Sequence, residues 1–167
     1  MPSDETLQER IRETVRGFLI EDQWRLGELS GPDLVWGHLA SDRQGRKLVI
    51  GQRRDRTDEV LLQARVSVHE NTRAQLKALI PEDRKGFLWD MRMALLQMNV
   101  DFNGITDDPT NIRVMTRIFF DGMSKDVFFQ RLSEVRRALL TILWMLNRKF
   151  EEQAPPATSE SPEPQLD

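Results

Sequence analysis

The stretch "IFFDGMSKDVFF", residues 118–129, decides how this chain is read. An apolar, alternating run meets Asp121-Gly122, a Ser and a charged pair follow, and apolar residues resume at once. Alternation is the period of a strand, and Asp-Gly is turn chemistry. Ser124 is an N-cap type whose hydroxyl accepts a backbone N–H in the first turn of a helix. Asp126 then falls in that turn, where the positive end of the helix dipole favours an acid. Phe128 opens a new spacing. The stretch reads as a joint between a strand and a helix, and not as a catalytic loop.

Downstream of the joint, Phe128, Leu132, Val135, Leu139, Ile142, Leu146 and Phe150 are spaced by threes and fours. That spacing predicts a helix over 125–151 with one stripe long enough to cover a sheet. From Ala138 onward, however, "ALLTILWML" is apolar nearly all round. One buried face does not require Leu140, Leu143 and Trp144 as well. Either other elements of the chain wrap the helix end, or these three residues form a second interface, most simply that of a homodimer.

Upstream, residues 111–120 alternate Ile112, Val114, Ile118 and Phe120 against Arg113, Met115, Arg117 and Phe119. A partner strand is expected around 100–105, across the turn "TDDPTN". Before it lie two helical segments. Asn71 or Thr72 is expected to cap a short one through Leu79. Pro81 opens the second, whose stripe is Phe87, Leu88, Met91, Leu95 and Met98. Four strands precede these. The clearest is 59–68, with Val60, Leu62, Ala64, Val66 and Val68 on one face and Gln63, Arg65 and Ser67 on the other. Leu61 is the exception on the polar face. "KLVIGQ", "DLVWGHLAS" and a run around Trp24 and Leu26 supply the other three, joined by short turns that favour an antiparallel meander. A first helix over 4–20 carries Leu7, Ile11, Val15, Phe18 and Leu19, with Ser3 or Asp4 as its cap. The order is α-β-β-β-β-α-β-β-α, an α+β antiparallel sheet packed by helices.

The 167 residues fit one domain over 1–152 with a tail over 153–167. The tail, "QAPPATSESPEPQLD", holds four of the eight prolines and three acids with no base, so it reads as a disordered acidic segment. Removing those three acids from 27 leaves 24, which balances the 24 Lys and Arg residues. A near-neutral domain carries no general attraction to nucleic acid or anionic membrane. No apolar run approaches the length of a membrane span, and no signal or transit pattern opens the chain. The absence of cysteine excludes disulfides and thiolate chemistry, and a cytoplasmic protein is expected.

Chemistry is hard to find. His38 and His69 belong to no ligand spacing and read as structural or surface residues, so no metal or cofactor is expected. No nucleophile elbow, phosphate loop or dinucleotide fingerprint occurs. The acids of "GITDDPTN" lack the spacing of a calcium loop and read as turn formers. Arg43, Arg46, Lys47, Arg53, Arg54 and Arg56 cluster at the two ends of one strand. They read as solvated hairpin ends, although contact with phosphates or with an acidic protein segment fits the same charge. Trp24, Trp36 and Phe119 are candidates for the exposed side of the sheet, with the core the simpler place for each.

The segments "RVSVHENTRAQLKALIPEDRKGFLWDMRMALL" (65–96) and "IRVMTRIFFDGMSKDVFFQRLSEVRRAL" (112–139) resemble the fold of type III secretion chaperones. The similarity is greatest to the bacterial and archaeal uncharacterised families that share this fold, among them a group named for sensory-transduction regulation. The resemblance covers residues 4–150 and implies a small non-enzymatic domain that dimerises and binds polypeptide segments. It brings no catalytic residue. A dedicated secretion chaperone is strongly acidic, and the neutral domain here departs from that pattern. The expectation is therefore a cytoplasmic, homodimeric, chaperone-like adaptor or regulator that is not an enzyme. The alternative is a small-molecule or lipid binder with a pocket between sheet and helices lined by Met91, Met98, Met115 and Phe119.

Overall fold

Alternation builds the sheet and threes-and-fours build its cover. The computed structural model describes residues 4–150. The elements are α1 (Asp4–Glu21), β1 (Arg25–Glu28), β2 (Leu34–Ser41), β3 (Lys47–Arg53), β4 (Glu59–Ser67), α2 (Glu70–Ala78), α3 (Pro81–Leu96), β5 (Asp101–Asn103), β6 (Asn111–Phe119) and α4 (Lys125–Phe150). The architecture is α+β as expected, with one antiparallel sheet in the order β1-β2-β3-β4-β6-β5. The acidic segment 153–167 lies outside the described residues.

The joint at 118–129 folds as its residues dictate. β6 ends at Phe119, a short 3-10 turn spans Phe120–Gly122, and α4 begins at Lys125. Ser124 Oγ accepts the Val127 N–H at 3.1 Å, the N-cap bond. α2 is capped differently from the expectation. Its N-cap is His69, extended and without a side-chain bond, so neither Asn71 nor Thr72 ends the helix. The helix instead gains its first turn directly from the end of β4, where Glu70 provides the acid. Pro81 does open α3.

All the large stripes meet on one side of the sheet. Ile11, Val15 and Leu19 of α1, Leu88, Met91 and Leu95 of α3, and the seven-residue stripe of α4 are buried. They share a single core with Ala40 of β2, Leu48 and Ile50 of β3, the even-numbered residues 60–66 of β4 and Ile112, Val114 and Ile118 of β6. α4 lies on β4 and β6, α1 on β1, and α3 on α4 and β5. Trp24 and Trp36 also join this core, as expected.

Candidate protein-binding face

A strand residue whose neighbours point into the core must itself point away from it. On β4 that rule turns Leu61, Gln63 and Arg65 outward, and on β6 it turns out Arg113, Met115, Arg117 and Phe119. No described element packs a second layer on this side. The strand registers then fix which outward residues stand together. Leu39 of β2 lies opposite Val49, Val49 opposite Gln63, and Gln63 opposite Met115. Leu39, Val49, Leu61 and Met115 are each half-buried. They form a shallow apolar centre on a face otherwise open to water. Phe119 stands at its end, 48% exposed, with the Arg117 guanidinium 5.7 Å from its ring centre. The core placement expected for Phe119 is therefore wrong: parity puts it on the open side.

One row away from that centre the face is cationic. Arg25 stands opposite Ser41, Ser41 opposite Lys47, and Arg65 opposite Arg113. The paired residues of β3 and β4 end at Val49 and Gln63, and Lys47 and Arg65 are the next outward residues of those strands. Four outward cations thus form a row along the same end of β1, β3, β4 and β6. All four are exposed, and none has a hydrogen-bonded or ion-paired side chain among the described residues. Arg65 and Arg113 are like charges directly opposed across two strands, an arrangement that opposes folding. The two acids of the face stand elsewhere: Glu59 pairs with Arg117 at 3.7 Å, and Asp101 sits opposite Met115.

Much of the basic stretch at 43–56 serves structure. Buried Asp42 accepts the Gln44 and Arg46 backbone N–H groups, both at 2.9 Å, and the Arg136 guanidinium at 3.1 Å. It pins the β2–β3 turn to α4. Arg53 is paired with Asp55. Lys47 is the member of the cluster that joins the row.

The remaining candidates fall into structural places. His38 is buried on the covered face, and burial first, then Arg12, lowers its proton affinity below the usual histidine value of 6.5. Its Nε2 has no hydrogen-bond partner among the described residues. His69 is the exposed N-cap of α2. In the "GITDDPTN" turn, Asp108 accepts Arg73 at 2.8 and 2.9 Å and Lys77 at 3.1 Å. These hydrogen bonds hold its carboxyl at about 2. The turn is tied to α2, as a structural loop would be. No group of three potential metal-binding side chains occurs among the described residues.

Met91, Met98, Met115 and Phe119 do not line one cavity. Met91 is fully buried in the core, whereas Met115 faces outward. Only Met98 and Phe119 share a space, an open groove of about 440 Å³ beside the free end of β6, with Val100, Thr116, Val127 and Arg131. Leu140 and Leu143 are half-buried on α4, and Trp144 is 66% exposed. Leu143 packs in part on the core, and the three residues lie on the outer side of α4.

Residues 11–146 match the model of a family described as "Uncharacterized conserved protein (DUF2299)", and the chain belongs to that family. A crystal structure of an uncharacterized protein from Methanothermobacter thermautotrophicus superposes with a TM-score of 0.77 at 27% identity, covering 83% of this chain and 98% of that one. YbjN from E. coli gives a TM-score of 0.46 at 13% identity, covering 86% and 96%. No curated protein matches the chain.

Proposed function

We propose that the protein is a non-enzymatic protein-binding module, a chaperone-like adaptor or regulator. In this reading it holds a polypeptide segment on the open face of its sheet and works as a homodimer through the outer side of α4. The observation that carries the reading is the six-stranded sheet itself, with helices on one face and an apolar centre bare on the other. Exposed apolar area backed by a rigid sheet is what an extended or amphipathic segment buries on binding. The cation row bears on the dimer as well. Two such faces packed against each other would bring like charges together, so self-association is assigned to α4, with Leu140, Leu143 and Trp144 at the contact.

Binding is tested with a permanently unfolded, carboxymethylated model polypeptide followed by fluorescence anisotropy. Leu61→Asp with Met115→Asp should abolish binding while leaving the circular dichroism spectrum intact. Binding that is absent from the parent protein, or indifferent to these changes, overturns the reading. Sedimentation velocity tests the dimer: Trp144→Ala should convert it to monomer. A parent protein already monomeric at micromolar concentration removes this part.

A further inference from the structure

One side of β6 is only partly paired. β4 runs along it from Asn111 to Phe119, but β5 covers its other side at Arg113, Val114 and Met115 alone. Just before β5 the chain is turned, with the Val100 N–H donating to the Met98 carbonyl at 2.8 Å. Past Met115, no described strand pairs with that side of β6.

The ladder fixes which backbone groups are left bare. Antiparallel partners exchange hydrogen bonds at every second residue. The Phe120 N–H donates to Asp58 and the Val68 N–H to Thr110, both at 2.8 Å, one step beyond either end of the β4–β6 register. Even-numbered residues of β6 therefore bond to β4, and odd-numbered ones turn their N–H and C=O to the other side. There Arg113 and Met115 stand opposite Asn103 and Asp101. Arg117 and Phe119 have no described strand opposite them, so two N–H and two C=O groups face the groove of about 440 Å³.

We propose that an extended segment of a partner polypeptide adds to the sheet here as a further strand, bonded to the backbone of Arg117 and Phe119. A row of unpaired edge groups is chemistry that a strand satisfies and a helix, with its own groups already bonded, does not. Alternation then places the side chains of the segment. The one opposite Ile118 points to the covered side, where Met98, Val100 and Val127 line the groove. The one opposite Phe119 lies on the open face, with that ring as its cross-strand neighbour. The segment that fits is therefore extended and apolar at two adjacent positions. The other edges suit it less: β1 presents Arg25, Gly27 and Glu28, and β5 presents Asp101 and Asn103, the polar and charged types that discourage pairing. This proposal says how a polypeptide is gripped and rests on the binding role proposed above.

The test uses the full chain and the same carboxymethylated polypeptide as probe, with amide hydrogen exchange resolved by residue. Without the probe, the Arg117 and Phe119 amides should exchange fast, and those of Thr116 and Ile118, bonded to β4, slowly. Saturating probe should slow Arg117 and Phe119 selectively. Slow exchange at both before the probe is added overturns the proposal, because the edge would already be occupied. Two variants separate backbone from side chain. Phe119→Ala removes the ring and keeps the edge N–H; Phe119→Pro removes the N–H as well, at a φ of −70° that proline adopts without strain. The proline variant should bind about tenfold more weakly than the alanine variant. Equal affinities, or a bound probe that leaves both amides fast, overturn the proposal; should the proline variant not fold, the exchange data on the parent decide. Those failures leave open-face binding standing if Leu61→Asp with Met115→Asp still abolishes it. Protection at Arg117 and Phe119 that survives the aspartate changes does the reverse, and a probe that does not bind at all removes both.

Discussion

Along β4, Val60, Leu62, Ala64 and Val66 lie sealed under the helices, while Leu61, Gln63 and Arg65 alternate with them in the same backbone and face water. The hydrogen-bond ladder is common to both sets, so it cannot be what separates them. What differs is the cover. Every large helix stripe is spent on one side, which leaves the other free to keep residues that do nothing for stability. A like-charged Arg65–Arg113 pair survives only where no core depends on it. The covered face holds the fold together, and the open face carries little of it.

The sharpest test of this division compares two phenylalanines near the joint. Phe128 is fully buried, with its ring 5.6 Å from that of Phe18. Phe128→Ala should cost about 3–5 kcal/mol through lost transfer energy and a residual cavity. Phe119→Ala, on the open face, should cost at most about 1 kcal/mol. Urea unfolding of both variants gives the comparison directly. Equal losses would mean that the open face also carries the fold.

A second test uses acid on the covered face. Burial keeps the folded His38 neutral to a lower pH than the unfolded chain, whose value is 6.5. The unfolded state therefore binds the proton first as pH falls. The contribution of this group is fully present above about pH 6.5 and is lost progressively below it. Unfolding free energies at pH 7.5 and 5.5 should fall more steeply for the parent than for His38→Gln. Identical slopes would mean that His38 is as free to protonate as a surface histidine.

A third test returns to the joint between the faces. Ser124→Ala removes the acceptor of the Val127 N–H and should cost about 1 kcal/mol, with equilibrium unfolding as the measure. An unchanged midpoint would assign the start of α4 to packing by Phe128 alone.

The order of elements was legible because each is written in a local period: two along 59–68, threes and fours along 125–150, and a Ser cap between them at 124. Leu61 was visible from the sequence as an outward apolar residue, and its half-buried place on the open face agrees. The α2 cap was not legible, since Asn71 and Thr72 are good cap types and the close exit from β4 decided in favour of His69. Phe119 was assigned to the core by residue type, although its alternation with Ile118 already turned it outward. The cation row could not be read at all. Lys47, Arg65 and Arg113 are 18 and 48 residues apart in sequence, and only the registers of β3 on β4 and β4 on β6 bring them into line.

The smallest expected effect is also the one most specific to the open face. Arg113→Gln removes one half of the cross-strand arginine pair while keeping a long polar side chain at an exposed position. A directly opposed like-charge pair destabilises by about 0.2–1 kcal/mol, so the variant should be neutral or slightly more stable than the parent. Any gain should shrink as salt rises, because the repulsion is between solvated charges. Urea unfolding at low and high ionic strength measures both. A loss above about 1 kcal/mol on removing Arg113 would exceed what an exposed, unpartnered side chain can contribute. That outcome would turn the arginine into a structural residue and take the open face out of the comparison.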